Sequence, residues 1–303
     1  MQLGFIGTGN IGNGFALKLI EAGHGLHVFD IREEATANLR EKGAKWAKGP
    51  AAVAKASEVM FSSLPSTAAV EHVVFGEKDG LLREMKQGKV YVDMSTSTPK
   101  LARRIAEACE AVGAHALDSP VTQAGVYVTV GGNKEAFERC RHLFDTISDH
   151  VYYVGGAGQG QVAKLVRQYV GFTSFISTAE ALTIAANAGA DTAFIASFIN
   201  ATTRGGLFNE RSWASVFARD FGEPGTAVNT LDIVSKDVEL AVELAREVGG
   251  ISGTGAAASD VLKRGQAQGW GRLQYYAAVQ ILERMAHVEF RGTVTPLEAE
   301  STR

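Results

Sequence analysis

Proline, cysteine and surplus charge are all scarce in this chain. Its 303 residues include six prolines and two cysteines, and the formal net charge is −3. Cys109 and Cys140 give neither a disulfide framework nor a metal-ligand spacing. They read as reduced, partly buried thiols. The seven histidines are scattered, with no i, i+4 pairing to a second ligand, so no metal is expected. His24, His27 and His72 read as surface or structural residues. The small net charge excludes a nucleic-acid binder that works through bulk positive charge. Long apolar runs are also missing. The least charged stretch, 170–201, is broken by Glu180 and Asp191 and is rich in Ser, Thr and Ala. It falls short of the ~18 consecutive apolar residues of a membrane span and reads as a helix buried on most sides. The first residues lack a basic region and an apolar core, so no secretory signal is expected. The cytoplasm is the default compartment.

Glycine, by contrast, is abundant: 34 residues, above the ordinary ~7%. With so little proline, this suggests helices and strands joined by tight turns, with backbone approaching a ligand closely in places. The length predicts two domains. In the first half, apolar runs at 3–6, 26–29, 59–63, 90–93, 114–117, 126–130 and 151–154 read as strands. Between them, helices are predicted at 15–21, 33–42, 68–75, 99–112 and 134–146, the 99–112 helix capped from 96–98. Such alternation predicts an α/β domain with a parallel sheet and right-handed crossovers. The glycine-rich stretch 155–160 reads as a hinge. From 161 to about 286 the periodicity is helical, broken at Gly189, 205–206, 222–225 and 249–255. The expected boundaries are 1–157 for an α/β domain and 158–303 for an all-α domain. The small-residue helix 171–190 is apolar on more than one face, to be covered by its own domain or by a second subunit. The polar tail 294–303 is expected to fray.

One motif stands at the start. Gly7-Thr8-Gly9-Asn10-Ile11-Gly12 reads G-x-G-x-x-G between an apolar strand and an apolar-periodic helix. Gly7 permits the turn, Gly9 admits a pyrophosphate, and Gly12 allows close helix–strand packing. Asp30, 18 residues after Gly12, would accept hydrogen bonds from an adenosine ribose and repel a 2′-phosphate, which predicts NAD over NADP. Arg32 is the one nearby group suited to a 2′-phosphate. Ligands in open α/β sheets sit beyond the carboxyl ends of the strands. Ser62-Ser63-Leu64-Pro65 and Asp93-Met94-Ser95-Thr96-Ser97 should therefore line the cofactor cleft, with helix capping a coexisting role for Ser95 and Thr96.

These motifs resemble those of the 3-hydroxyisobutyrate dehydrogenase group of β-hydroxyacid dehydrogenases, related more distantly to 6-phosphogluconate dehydrogenase. Besides the glycine motif, the carriers are Leu64-Pro65, Asp93-Met94-Ser95-Thr96, Asp118-Ser119-Pro120-Val121, Val130-Gly131-Gly132, Gly158-Gln159-Gly160 with Lys164, and Lys236-Asp237. The resemblance spans about residues 2–290. It implies a Rossmann domain, an all-helical C-terminal domain, an active site in the cleft between them, and a homodimer or homotetramer. The implied reaction is oxidation of the β-hydroxyl of a small hydroxyacid, or reduction of the matching semialdehyde.

The resemblance makes Lys164 the catalytic lysine and puts Lys236 near nicotinamide and substrate. Lys164 also reads well from below. It lies one turn into the helix that starts at the glycine stretch, where lost hydration and a neighbouring cation would both favour the neutral amine. Such an amine can take a hydroxyl proton as hydride leaves the same carbon. Asp237 reads either as a first-turn partner of the helix dipole or as a holder of Lys236.

Three departures from the family pattern fall on the substrate side. Thr122 stands where the family has a serine that anchors the substrate carboxylate together with two glycines. Here Gln123-Ala124-Gly125-Val126 follows, about seven residues shorter. Arg167 and Gln168 replace the asparagines usual three and four residues after the lysine. Gln168 can still reach a substrate hydroxyl, while Arg167 either pairs an acidic substrate group or faces solvent. Residues 200–206, Asn-Ala-Thr-Thr-Arg-Gly-Gly, replace a serine-rich stretch. Two alternatives stay open: a dehydrogenase or reductase of this fold for a bulkier or less acidic substrate, imines included, and a non-catalytic dinucleotide-binding protein. Imine-reducing relatives usually replace the lysine, so Lys164 argues against that branch.

Overall fold

The computed structural model describes residues 1–122, 126–202, 210–224, 226 and 229–293. The chain divides into two compact units, Met1–Lys164 and Leu165–Arg303. No helix among the described residues is long and apolar enough to cross a membrane.

The first unit alternates β1 (Gln2–Ile6), α1 (Asn10–Glu21), β2 (Gly25–Phe29), α2 (Ala37–Glu41), β3 (Lys45–Trp46), α3 (Pro50–Ala56), β4 (Val59–Ser62), α4 (Thr67–Phe75), β5 (Val90–Asp93), α5 (Pro99–Glu110), β6 (His115–Asp118), β7 (Val121–Thr122), β8 (Tyr127–Gly132), α6 (Lys134–Ile147) and β9 (His150–Gly155). Neighbouring strands run β3-β2-β1-β4-β5-β6, all parallel. β8 then pairs antiparallel with both β6 and β7, and β9 pairs parallel with β8. The sheet is thus mostly parallel rather than wholly so. The reason is connection length: no helix intervenes between β6 and β8, and only an antiparallel partner can be reached by so short a link.

Successive strand residues face opposite sides, and here both sides are apolar. Phe5, Phe61 and Val92 join Phe15, Leu19, Phe137 and Phe144 on one face. Ile6, Met60 and Tyr91 join Val53, Val70, Val74 and Ile105 on the other. Burial on both faces explains why these strands read as continuous apolar runs. Side-chain caps start the helices: Ser66, Thr98 and Asn133 accept the backbone N–H of Ala69, Leu101 and Ala136. Thr98 alone of the 96–98 stretch caps α5. The predicted helix 33–42 is a 3₁₀ turn (Glu33–Thr36) followed by the short α2. Cys109 and Cys140 are core residues, and burial pushes their thiols up, to about 12 and about 11.

The second unit is helical: most of α7 (Gln159–Asn187), then α8 (Thr192–Thr202), α9 (Glu210–Phe217), α10 (Leu231–Glu247), α11 (Gly253–Ala267) and α12 (Val279–Ala286). The glycines 253–255 begin α11 rather than break the chain. Its core gathers Phe175, Leu182, Trp213, Leu231, Val238 and Phe290. The Phe175 ring stacks on Trp213 at 4.9 Å and meets Tyr275 edge-on at 5.0 Å. Glu283, buried, accepts from Arg219 Nη1 at 2.7 Å and from the Phe290 N–H at 2.7 Å. Its own unit covers α7 only in part. Phe175, Ile176, Ala179 and Leu182 enter the core, while Val166, Val170 and Ile184 are exposed.

The glycine stretch before α7 is held by a carboxylate. Asp118, at the end of β6, accepts the N–H of Gly158 at 2.7 Å and of Gln161 at 2.8 Å. Burial raises its carboxyl from the ordinary 3.8 to about 6, opposed by those two amide hydrogen bonds. The folded chain therefore binds more protons than the unfolded chain between those values. Asp118 favours the fold fully below about pH 4, and that contribution is lost as pH rises through 6. Such a difference corresponds to about 3 kcal/mol. Denaturant unfolding across pH 4–7 should show the wild type losing up to this much against Asp118→Asn as pH rises. A difference that stays flat with pH would contradict it.

Candidate functional site

The carboxyl end of β1 runs into the glycine turn. Gly7 has a φ of +84°, which favours glycine, and its N–H donates to Phe29 O at 2.9 Å. A Cβ on Gly12 would lie 2.1 Å from Gly7 O, so only glycine lets α1 sit this close to the strand. A Cβ on Gly9 would meet no protein atom within 4 Å. Gly9 is the N-cap of α1, without a side-chain cap, and no acidic residue stands in the first turn. The N–H groups at Asn10 and Ile11 belong to the end of the helix that attracts anions. Beside it lies an open depression lined by Thr8, Gly9, Asn10, Asn13, Arg32, Glu34 and Ala35. A glycine cradle closed by backbone, an uncapped helix start and this depression together fit a dinucleotide.

Asp30 follows β2 and braces the turn. Its Oδ2 accepts the Thr8 N–H at 2.8 Å and its Oδ1 accepts the Arg32 N–H at 2.9 Å. Each carboxylate oxygen has two acceptor sites, so capacity for ribose hydroxyls remains. Arg32 and Glu34 both line the depression, so a cation and an anion stand together beside the glycine turn.

The ends of β4, β5 and β6 are tied together. Ser62 Oγ bonds the Tyr91 hydroxyl at 2.7 Å and donates to Asp93 Oδ1 at 3.0 Å. Asp93 Oδ1 also accepts the Ser95 N–H at 3.0 Å, and Asp93 O accepts the Ser119 N–H at 2.7 Å. Ser95 Oγ accepts the Leu64 N–H at 2.9 Å, which fixes the Leu64-Pro65 turn to the Ser95-Thr96 loop. Ser95 is buried and Thr96 half-buried. Gln161, unremarked in the sequence, joins this cluster: its Nε2 donates to Ser95 O at 2.8 Å and its Oε1 accepts the Ser97 N–H at 3.0 Å. A glutamine next to the second glycine of a helix start is the one local signal, and it does not name its partners.

Lys164 lies in the second turn of α7 and is 7% exposed. Its Nζ donates to Val121 O at 2.7 Å, which brings the amine beside β7 and one residue from Thr122. Gln123, Ala124 and Gly125 lie outside the described residues, as do 203–206 of the 200–206 stretch.

In the second unit, Lys236 and Asp237 occupy the second turn of α10, not the first. Thr230 caps that helix and Asp232 is its first-turn acid. The helix-dipole reading therefore belongs to Asp232. Asp237 is buried, accepts Gln168 Nε2 at 2.8 Å, and is 3.4 Å from Lys236 Nζ. A carboxylate only accepts, so this bond orients the Gln168 amide. Its Oε1 accepts from Arg167 Nη1 at 2.6 Å. Arg167, Gln168, Lys236 and Asp237 thus form one linked group; Gln168 is buried and Arg167 exposed. Asp237 was legible only as a neighbour of Lys236; its bond to Gln168 spans 69 residues.

Residues 2–155 match the family model described as the NAD binding domain of 6-phosphogluconate dehydrogenase. Residues 158–282 match the one described as NAD-binding of NADP-dependent 3-hydroxyisobutyrate dehydrogenase. The chain is 32% identical over 294 residues to 2-hydroxy-3-oxopropionate reductase of Escherichia coli (strain K12), covering 95% of this chain and 99% of that one. It is 32% identical over 272 residues to 3-hydroxyisobutyrate dehydrogenase of Pseudomonas aeruginosa, covering 86% and 90%. In fold it is similar to the solved 3-hydroxyisobutyrate dehydrogenase of Mycobacterium tuberculosis with L-serine, with a TM-score of 0.83 at 23% identity, covering 93% and 98%. A glycine cradle and a buried lysine beside β7, set in a chain matched almost end to end by these relatives, have one consequence: this protein belongs to the 3-hydroxyisobutyrate dehydrogenase family of NAD(P)-dependent β-hydroxyacid dehydrogenases.

Proposed function

We propose that this enzyme oxidises the β-hydroxyl of a small, 3-hydroxyisobutyrate-like hydroxyacid, or reduces the matching semialdehyde, with Lys164 as general acid and base. The observation that carries this reading is the buried Lys164 amine, 2.7 Å from Val121 O and one residue from Thr122. Bound NAD would supply the hydride acceptor. In oxidation, Lys164 Nζ as the neutral amine takes the hydroxyl proton. In reduction, its ammonium returns a proton to the carbonyl oxygen. The Val121 carbonyl holds the amine in place between these states.

The remaining assignments belong to the same proposal. Gly7, Gly9, Asn10, Ile11 and Gly12 hold the pyrophosphate, and Leu64, Pro65 and Thr96 hold the nicotinamide end. Ser95 and Thr122 act on the substrate, and Lys236 on substrate or cofactor. Asp237 turns Gln168 so that its carbonyl steadies Arg167, which leaves guanidinium N–H groups for a substrate carboxylate. NAD is preferred over NADP because Asp30 and Glu34 oppose a 2′-phosphate, and Arg32 is assigned to the cofactor. The domains divide at 157/158. Exposed Val166, Val170 and Ile184 on α7, with Phe194 and Phe198 on α8, support a homodimer or homotetramer; sedimentation at single-chain mass would contradict that. Two inert, buried thiols suit the cytoplasm.

Steady-state kinetics on a panel of hydroxyacids, semialdehydes and cyclic imines, with both cofactors, tests the reading. The expected outcome is turnover of β-hydroxyacids with a higher kcat/KM for NAD. Lys164→Ala should lower kcat by about 10²–10⁴-fold. Near-normal kcat in that variant, a clear NADP preference, or turnover confined to imines would each overturn the corresponding assignment.

A further inference from the structure

Gln161 is 0% exposed, and its polar atoms are matched. Its backbone N–H goes to Asp118 Oδ2 at 2.8 Å, its Nε2 to Ser95 O at 2.8 Å, and its Oε1 takes the Ser97 N–H at 3.0 Å. Ser95 O and Ser97 N–H flank a single residue, Thr96. One side-chain amide therefore grips the backbone on both sides of Thr96, as a neighbouring strand would. The same loop is held from the other direction by Asp93 Oδ1 on the Ser95 N–H and by Leu64 N–H on Ser95 Oγ. Gln161 stands in the first turn of α7, three residues before Lys164, so the two side chains share one short, rigid piece of helix.

Packing alone does not require this residue. A methionine has nearly the same length and would fill the same space. The amide, unlike methionine, offers one donor and one acceptor at the spacing that a C=O and an N–H two residues apart present. We propose that Gln161 is a positioning residue for hydride transfer: it locks Thr96 to the first turn of the helix that carries Lys164, so that the cofactor-facing loop and the proton-transferring amine keep one geometry. This rests on the reading that the Ser95-Thr96 loop contacts the cofactor. Misplacement of reacting groups by about 1 Å can cost on the order of 100-fold in rate, which makes such a lock worth having at a distance from the chemistry.

Two substitutions separate this role from a structural one. Gln161→Met removes both side-chain hydrogen bonds at every pH. Gln161→Glu is a protonation-dependent mimic. As the neutral acid it has one donor and one acceptor and restores the grip. As the carboxylate it turns a second acceptor toward Ser95 O and loses it. The full-length protein is assayed from pH 5 to 9, each variant as its ratio to wild type, with kcat on 3-hydroxypropionate, NADH affinity by fluorescence, and thermal unfolding. Gln161→Met should lower kcat roughly 10–100-fold and weaken NADH several-fold across the range. Gln161→Glu should approach wild type at the acid end and fall to the Gln161→Met level at the alkaline end, while both variants still unfold cooperatively above the assay temperature. A Gln161→Met enzyme within threefold of wild type in kcat and NADH affinity overturns the proposal. If wild type binds NADH but turns over no hydroxyacid, the substrate reading fails instead. The NADH affinity of Gln161→Met then decides the proposal: a several-fold loss supports it, and an affinity equal to wild type overturns it.

Discussion

The carboxylate of Asp118 holds the start of α7 against the end of β6 through two backbone N–H groups. Much of the candidate site in the first unit hangs on that join. Gln161 and Lys164 take their positions from the first turns of this helix, and each reaches back to backbone of the sheet's carboxyl edge, at Ser95, Ser97 and Val121. Burial works against an ionised carboxyl here, while the two amides at a helix start work for it. The join is therefore a balance that the fold must maintain around the site.

Several polar groups at this edge, Ser62, Asp93, Ser95, Ser97 and Ser119 among them, are buried, and they are connected. Ser62, Tyr91, Asp93, Ser95 and Leu64 form one hydrogen-bonded chain across two strand ends and two loops. Each buried donor or acceptor left unmatched would cost about 1–3 kcal/mol, so the chain makes the loop conformations mutually dependent. Burial, reinforced by the nearby Asp93 charge, holds the Tyr91 hydroxyl well above its ordinary range, so it stays a neutral partner of Ser62. In the second unit the Asp237 group follows the same logic: a buried acid is tolerable because Lys236 and Gln168 meet it.

How much of this was legible in the sequence depends on how local each signal is. The strand, glycine turn and helix at the start were legible because the G-x-G-x-x-G spacing encodes sterics confined to a dozen residues, with Gly12 against Gly7 O as the physical reason. Lys164 was legible as a candidate from motif order. The two-residue strands β3 and β7 were not, since two residues carry no periodicity. The reversed direction of β8 was hidden by its short link from β6, since the alternating pattern suggested only parallel pairing. Gln161 and the Asp237–Gln168 pair were least visible, because their partners lie 64 and 69 residues away and an amide on a helix looks alike whether it faces water or a buried loop. Asp30 was visible as a candidate cofactor residue, but its bracing of the Thr8 and Arg32 amides could not be read.

In the proposed reaction, the β-carbon of a hydroxyacid gives up hydride while Lys164 takes the hydroxyl proton. Isotope transfer tests it most directly. The wild-type enzyme is incubated with NAD and 3-hydroxypropionate carrying two deuteriums on the hydroxyl-bearing carbon, and the reduced cofactor is analysed by mass spectrometry. One deuterium per reduced nicotinamide is the predicted result. Unlabelled reduced cofactor, or no reduced cofactor from any β-hydroxyacid, would contradict the account.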